Sequence, residues 1–513
     1  MSKFLKGILI LLTAGFVTRI LGFFNRIVIA RSIGEEGVGL YMMAYPTFIL
    51  AVTITQFGLP VAISKRVAEA LALGQTRKVK KILVIALATT LILSFIFTPA
   101  LFIGAPYLAE TFFTDKRIMY PLLTIAPVIP IIAVSSVLRG YFQGTQNMRP
   151  SAVSQIIEQL VRILFIGFLA KLFLPYGVEF AAAAVMIATI CGELVSLIYL
   201  LTMFKLKKAF PFRKKIWQSF QNGSGILREL MSIAVPTLGS RMIGSISWFL
   251  EPIIVTQALA ISGLASINAT KQYGLLTGFA LPLLLLPSFI TNALSTSLVP
   301  AISEAKSLNH YLLVEKRIQQ ALKFCIVTGA LATVILYTLN EPLMMLLYNS
   351  TNAAVFITIM APFMVFSYLQ APLQATLQAL DLAKAAMINS LIGTIVKLIL
   401  FFVLASNAQF GIHGVALAMI IGFVLVTFLH LATIMKAISF TIYLREYLKI
   451  FLCTILTGYL GERIWYSLKL AIPLFGNIAI TSACMVLIFS VLLLLFRVMR
   501  LKDLQRFMAF LKK

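Results

Sequence analysis

Charged side chains are scarce in this sequence. Asp, Glu, Lys and Arg make up 12% of its 513 residues, whereas hydrophobic residues make up 60%. A soluble domain has about 25% charged residues, and half that share cannot cover the surface of a globule of this length. The composition therefore excludes a water-soluble enzyme and indicates an integral membrane protein.

Histidine and cysteine are also rare. The three histidines are far apart, and the four cysteines lie in apolar stretches without paired spacing, which argues against a metal site or a disulfide framework. The sequence contains no glycine-rich phosphate loop of the Walker type. We therefore expect no cofactor and no ATP hydrolysis. Energy for net transport would come from an Na⁺ or H⁺ gradient, from the membrane potential or from consumption of the product.

Long apolar runs are abundant. A bilayer core of about 30 Å needs about 20 mostly apolar residues per helix. No small-residue cleavage site follows the first run, so we expect it to be retained as a span rather than removed as a signal peptide. The predicted spans are 5–31, 38–63, 82–105, 119–141, 151–173, 180–204, 230–261, 273–302, 321–348, 354–379, 386–405, 412–436, 447–467 and 474–497.

The basic residues orient these fourteen spans. Of 43 Lys and Arg residues, 31 fall in segments on one side, including Arg139 in the segment 139–149; seven fall on the other side and five within spans. The positive-inside rule then predicts an even number of crossings with both termini in the cytoplasm. Because most of the basic excess faces the anionic cytoplasmic leaflet, we expect membrane lipids rather than nucleic acid as partners.

An internal repeat divides the spans. At an offset of 235, Arg149 aligns with Lys384 and Arg162 with Lys397, while near the start Arg19 corresponds to Arg241. Six spans per repeat predict two bundles of the same orientation, related by an axis along the membrane normal. The predicted fold is an all-α polytopic membrane protein of about fourteen transmembrane helices. Its parts are a six-helix bundle (1–204), a basic cytoplasmic linker (205–229), a second six-helix bundle (230–438), and two additional helices with a basic C-terminal tail (439–513).

Arginines within the first span carry the functional inference. Arg19 and Arg26 are seven residues apart, so they share one helical face, and Asn25 precedes the second. An arginine near the bilayer centre costs roughly 2.5–3.5 kcal/mol even on the lenient insertion scale, so this face should line a cavity. Guanidinium groups suit phosphate or carboxylate. We therefore predict that Arg19, Arg26 and Asn25, helped by Arg241, bind an anionic substrate.

Other charges within spans have more than one interpretation. Glu158 precedes Arg162 by four residues, which is the favourable order for a helical ion pair. Lys397 is close enough to a helix end to extend to the interface. Together with Glu193 and Glu251, these residues are candidate cavity charges, and Glu251 is also a candidate ion site.

Several segments resemble the multidrug/oligosaccharidyl-lipid/polysaccharide exporter superfamily. They are GEEGVGLYMMAYPTF (34–48), TQFGLPVAISKRVAEA (55–70), PIIAVSSVLRGYFQGTQNM (130–148), SFITNALSTSLVPAIS (288–303) and QAPLQATLQALDLAKAAMINSLIG (370–393). The resemblance implies a flippase of the bacterial cytoplasmic membrane. Its expected substrate is an undecaprenyl-diphosphate-linked saccharide, such as a peptidoglycan precursor for spore cortex or another polysaccharide precursor.

The resemblance extends to the lipid II flippases of this superfamily. Their first span has a Ser-Arg-x-Leu-Gly-Phe pattern, similar to Thr18 to Phe23 here, which implies a substrate-binding role for Arg19. Their last two helices form a groove for the lipid tail. Their arginines in spans 2 and 8 have no counterpart, since 39–63 and 272–303 contain none. Enzymes of cell-wall synthesis are the further partners that this resemblance implies.

Three alternatives stay open. A cation-coupled multidrug antiporter of the same fold would need a cavity lined by carboxylates. A membrane enzyme acting on lipid-linked sugars would need acidic residues or histidine on the outer face, where Glu35, Glu36, Glu110 and Asp115 form the one cluster. A scaffold for cell-wall enzymes would leave the arginines within spans unexplained.

Overall fold

The computed structural model describes residues 3–207, 223–438, 440–441, 443–468 and 473–498, with side chains from residue 13 onward. Most of the predicted basic linker and the C-terminal tail lie outside these residues. The described chain is helical and contains no strand, as an all-α membrane protein requires.

The helices follow the predicted spans closely. They are α1 Lys3–Gln56, α2 Leu59–Ala72, α3 Thr76–Thr111, α4 Met119–Ile125, α5 Val128–Gly144, α6 Arg149–Phe173, α7 Val178–Lys207, α8 Gly223–Ile261, α9 Ser266–Gly274, α10 Leu281–Leu285, α11 Ser288–Ser307, α12 Tyr311–Thr338, α13 Asn340–Tyr348, α14 Ala354–Met360, α15 Met364–Ala379, α16 Ala383–Ala405, α17 Gly411–Ala437, α18 Leu444–Leu468 and α19 Leu474–Leu495. A π-helix, Leu275–Ala280, joins α9 to α10.

The 54-residue helix α1 contains the first two predicted spans. Its one non-helical residue is Gly34, whose φ of 69° is in the left-handed region that glycine adopts without strain. Arg26 and Met42 are sixteen residues apart, which is about 24 Å along a straight helix. Yet Nη1 of Arg26 lies 3.5 Å from Sδ of Met42. The two halves of α1 therefore fold back on each other at Gly34.

Two further predicted spans are bent. The segment Lys116–Ile125, which ends with α4, forms an angle of 43° with α5. The segment Ser266–Leu285, which runs from α9 to α10, forms an angle of 52° with α11. Pro127 and Pro287 stand at these two bends. Proline breaks the helical hydrogen-bond ladder, which explains both positions.

The chain is a multi-pass membrane protein. Among the described residues, nine helices are long and apolar enough to cross a membrane, or up to eleven if each bent pair counts as one crossing. The other predicted spans are the second half of α1 and the more highly charged helices α6 and α18. Large apolar side chains such as Phe95 and Leu487 are exposed on the helices, as lipid contact requires. The number fourteen stays a prediction.

The chain divides into two compact units, Met1–Gly278 and Phe279–Lys513. In the first unit, buried residues of α2, α3, α5, α7 and α8 form one apolar core, and in the second the main core joins α11, α12, α15 and α17. This boundary falls within predicted span 8, so α8 and α9 belong to the first unit. The repeat-based bundles, 1–204 and 230–438, stay a prediction.

Close backbone packing joins the second half of α1 to α9 in the first unit. A Cβ added at Gly39 would lie 2.1 Å from the carbonyl oxygen of Thr270, and one added at Gly274 would lie 2.6 Å from the backbone nitrogen of Gly39. No larger side chain fits either position without moving backbone. Glycine at both positions therefore allows the two helices to touch.

Candidate functional site

The first-span arginines differ in their surroundings. Arg26 is half-buried and contacts Met42, whereas Arg19 is exposed on α1 two helical turns earlier. Among the described residues, neither guanidinium forms a salt bridge. Asn25 is buried, and its Oδ1 has no hydrogen-bond partner there. An unpartnered acceptor and two unneutralised cations thus lie along one helix of a membrane protein.

A buried charge cluster lies in the same unit. Nη2 of Arg162 is 2.6 Å from Oε1 of Glu158, so the ion pair predicted from their spacing is confirmed. Oε2 of the same carboxylate is 2.9 Å from Nη2 of Arg139, which is also 3.6 Å from Oε2 of Glu193. Ser196 accepts a further hydrogen bond from Arg139 at 3.0 Å. We call Arg139, Glu158, Arg162 and Glu193 the charge cluster.

The placement of Arg139 corrects the sequence analysis. The charge pattern predicts an inner loop at 139–149, and this is wrong for Arg139: it lies inside α5, with its side chain directed at the carboxylates of α6 and α7. A basic residue near the end of a hydrophobic window resembles a residue of the adjoining loop. Its position inside the predicted span 119–141 was the available signal.

Tyr41 interacts both with the charge cluster and with Arg26 of the first span. It is buried on the second half of α1 and interacts electrostatically with both Arg162 and Arg26. The ring of Tyr45 follows at 5.4 Å, and Trp248 of α8 lies 5.7 Å beyond it. An aromatic row therefore runs from the charge cluster to α8.

Arg241 lies on the face of α8 that approaches α1. It precedes Ser245 by four residues, and the Ser245 hydroxyl is 3.0 Å from that of Thr53. The Arg241 side chain is exposed and forms no salt bridge among the described residues. Glu251, farther along α8, interacts electrostatically with Tyr273.

The remaining predicted charge, Lys397, lies in the second unit. Its Nζ is 5.6 Å from the centre of the Phe401 ring, a cation–π contact. The candidate cavity charges thus separate into the charge cluster, Glu251 and Lys397. Across the described chain, no group of three or more His, Cys, Asp or Glu residues could hold a metal ion.

A large apolar groove lies in the second unit. Its volume is about 1270 Å³, and its walls come from α12 to α15, α17 and α18. Phe366, Phe451 and Ile455 are among its apolar lining. Polar groups such as Glu341 and Glu462 lie toward the end where α12 and α18 both terminate. The groove can hold a long hydrocarbon chain with one polar end.

Known proteins match this chain over most of its length. Residues 4–306 match the family described as "Polysaccharide biosynthesis protein". The chain is 54% identical over 509 residues to Stage V sporulation protein B of Bacillus subtilis (strain 168), with 98% of each chain covered. It is 25% identical over 450 residues to Lipid II flippase MurJ of the same organism, covering 82% of this chain and 81% of the relative.

Solved structures share the fold. The inward closed conformation of lipid II flippase MurJ superposes with a TM-score of 0.71 at 17% identity, covering 96% of this chain and 98% of the other. An inward-facing multidrug resistance transporter of the MATE family gives 0.64 at 16% identity, covering 82% and 94%. At these identities the likeness concerns the fold alone. The family match and the near full-length relative agree with the resemblance seen in the sequence: the chain belongs to the polysaccharide biosynthesis protein family.

Proposed function

We propose that this protein is a flippase that moves an anionic, polyprenyl-diphosphate-linked saccharide from the inner to the outer leaflet of the bacterial cytoplasmic membrane. The observation that carries the proposal is the set of arginines Arg19, Arg26 and Arg241. All three lie in membrane-length helices without a salt bridge among the described residues. Such cations persist in apolar helices where water or an anionic ligand compensates their charge.

The guanidinium groups suit the diphosphate. Each presents a planar set of donors that can hold two phosphate oxygens at once. Arg19 and Arg26 lie on one face, so they can engage successive phosphates, and the amide of Asn25 adds a neutral donor beside them. Arg241 supplies a third cation from α8.

The groove of the second unit suits the polyprenyl tail. Its lining is mostly apolar, and its volume of about 1270 Å³ can hold a long hydrocarbon chain. Because α18 lines this groove, we assign to it the binding of the lipid tail, which the sequence resemblance implies for the two appended helices.

The names of the relatives support a finer substrate. One is a stage V sporulation protein and another is a lipid II flippase. We infer that the saccharide is a peptidoglycan precursor, used for spore cortex. Cell-wall enzymes as partners and coupling to Na⁺, H⁺ or membrane potential belong to the same proposal.

Reconstitution into liposomes tests the headgroup site. The substrate is a polyprenyl-diphosphate saccharide with a fluorescent label, and its outer-leaflet exposure is followed by quenching. The double variant Arg19→Ala, Arg26→Ala should lose at least about tenfold in translocation rate, because each lost charge-assisted contact is worth about 1.5–3 kcal/mol.

Arg149 and Arg228, which are exposed basic residues, provide the matched control. Replacing both with Ala removes the same charge and should leave the rate unchanged. Wild-type translocation by the double variant at Arg19 and Arg26 would reject the site. Transport of cationic drugs without any lipid translocation would favour the antiporter, and chemical turnover of the lipid by the purified protein would favour the enzyme.

A further inference from the structure

The two carboxyl groups of the charge cluster have unequal partners. Glu158 accepts from Arg139 and Arg162 at 2.9 and 2.6 Å, so both its oxygens are bonded. Glu193 is 5% exposed, and its Oε2 has no hydrogen-bond partner among the described residues; its nearest cation is 3.6 Å away on Arg139. A buried carboxylate oxygen without a hydrogen bond is costly.

A proton would satisfy this oxygen. The carboxyl groups of Glu193 and Glu158 are neighbours, because Oε2 of each lies against the same Nη2 of Arg139, at 3.6 and 2.9 Å. Two carboxyl groups can share a hydrogen bond only when one of them carries a proton, since ionised carboxylates are acceptors alone. Protonated, Glu193 can donate to the carboxylate of Glu158, which keeps its bonds to the two arginines.

The other groups around the cluster favour a proton over a metal ion. The helices packed against α7 present the cations Arg139 and Arg162, the phenols Tyr41 and Tyr45, and, on α4, no charged residue. Two adjacent guanidiniums repel a bound metal cation, which also needs about six oxygen ligands. A proton bound covalently to one oxygen needs no such shell.

We propose that Glu193 and Glu158 form a proton-binding pair whose occupancy is linked to binding of the anionic headgroup. With both carboxylates ionised, the charge cluster is neutral; with one proton it carries one positive charge. Tyr41 interacts electrostatically both with Arg162 of the charge cluster and with Arg26. Proton uptake therefore makes the surroundings of Arg26 more attractive to an anion, and by linkage a bound anion favours proton uptake.

This inference rests on the proposed function for its ligand, but the proton site can be tested without any ligand. Infrared difference spectroscopy of the full-length protein in nanodiscs detects the C=O stretch of a neutral carboxyl group. We expect a band that titrates with pH in the wild type and is lost in Glu193→Gln. The exposed Glu304 supplies the control, because Glu304→Gln makes the same chemical change elsewhere and should leave the band intact.

The linkage is tested by binding of geranylgeranyl diphosphate over a pH series. If one proton is linked, the affinity of the wild type falls by up to about tenfold per pH unit as the pair deprotonates. Glu193→Gln is a permanently neutral isostere that can still donate to Glu158. The affinity of this variant for the diphosphate should therefore depend less steeply on pH than that of the wild type, and the difference should correspond to one proton. Titration of the ligand itself affects both proteins equally.

Each result decides a separate point. A wild-type band that is absent at every pH, or that persists in Glu193→Gln, overturns the proton site. Equal pH dependence of binding in wild type and Glu193→Gln overturns the linkage. A titrating band with no diphosphate binding at any pH rejects the linkage and the proposed headgroup, while leaving the proton site in place.

Discussion

Asp115 lies in the connection between α3 and α4, where it organises a cluster of polar residues. It is buried and accepts hydrogen bonds from Nη2 of Arg117 at 2.8 Å and from the Thr270 hydroxyl at 3.0 Å. Arg117 also contacts Glu36, next to the fold of α1. One carboxylate thus connects the α3–α4 connection to α9 and, through Arg117, to α1.

The same contacts set the protonation of Asp115. Burial opposes ionisation, but the hydrogen bonds and charge of Arg117, with the hydrogen bond from Thr270, outweigh it and hold the pKa below its ordinary value. A carboxyl group whose pKa is lower in the folded state stabilises the fold above its unfolded pKa. That contribution disappears as the pH falls through the folded pKa.

We predict that Asp115→Asn destabilises the protein by about 2 kcal/mol at neutral pH, because Asp115 makes charge-assisted hydrogen bonds and Arg117 loses one of its two carboxylates. Thermal unfolding in detergent micelles measures the difference. The gap from wild type should begin to shrink below about pH 4, the ordinary pKa of aspartate, and should shrink further as the pH falls through the lower pKa of the folded protein.

The exposed Glu110 provides a control for this change. It lies 3.9 Å from Lys116, and both side chains are mostly exposed. Exposed ion pairs contribute little, so Glu110→Gln should leave the melting temperature nearly unchanged. A pH-independent gap for Asp115→Asn would mean that its cost comes from packing rather than from the charge.

At the scale of single helices, apolar periodicity and length are enough to predict where most of the long helices lie. They could not reveal how neighbouring helices contact each other. The sequence predicts two spans, 5–31 and 38–63, on either side of Gly34. It does not predict that Arg26 and Met42 touch, because that contact depends on the reversal of the backbone at Gly34. The glycine contact between Gly39 and Gly274 joins segments 235 residues apart, and no local pattern encodes it.

The charge cluster shows the same division between local and non-local information. The pair Glu158 and Arg162 follows from helical spacing and was predicted. Arg139 and Glu193 join it from α5 and α7, so their convergence is a property of helix packing. Sequence alone could identify Glu193 as a charge within a span, but not its neighbours.

The groove of the second unit yields a prediction for α18. Ile455 lines the groove and is 52% exposed. Replacing it with Trp should fill part of the space available to a lipid tail. We expect translocation of a long-chain polyprenyl substrate to fall by about tenfold, and that of a short-chain analogue to fall less, because the shorter tail needs less of the groove.

Ile480 of α19 is a matched control. It is 41% exposed and does not line the groove, so Ile480→Trp adds the same bulk elsewhere. Both rates are measured in liposomes with the two chain lengths. An equal loss for long and short tails in Ile455→Trp would show that the substitution disturbs the fold rather than the groove.

For the whole molecule, the distribution of basic residues is the main evidence on orientation. Most lie in segments that alternate with the predicted spans, and the predicted repeat would make both predicted bundles begin on the same side. This holds if there are fourteen crossings, including α6 and α18. An odd number of crossings would place the two termini on opposite sides.

Cysteine labelling tests this topology at two glutamines. Gln146, between α5 and α6, and Gln409, between α16 and α17, are both exposed. The topology puts Gln146 in the cytoplasm and Gln409 outside. The four natural cysteines are half-buried or buried, so they should react weakly, and replacing them with Ser removes any background.

We expect a membrane-impermeant maleimide to label Gln409→Cys in intact cells and Gln146→Cys only after permeabilisation. The result for Gln409 depends on every crossing before it, including α6 and both halves of α1, because each crossing reverses the side. Labelling of both variants in intact cells would remove one crossing between them from the scheme. Labelling of Gln146 alone would invert the orientation of every span and contradict the topology predicted from the basic residues.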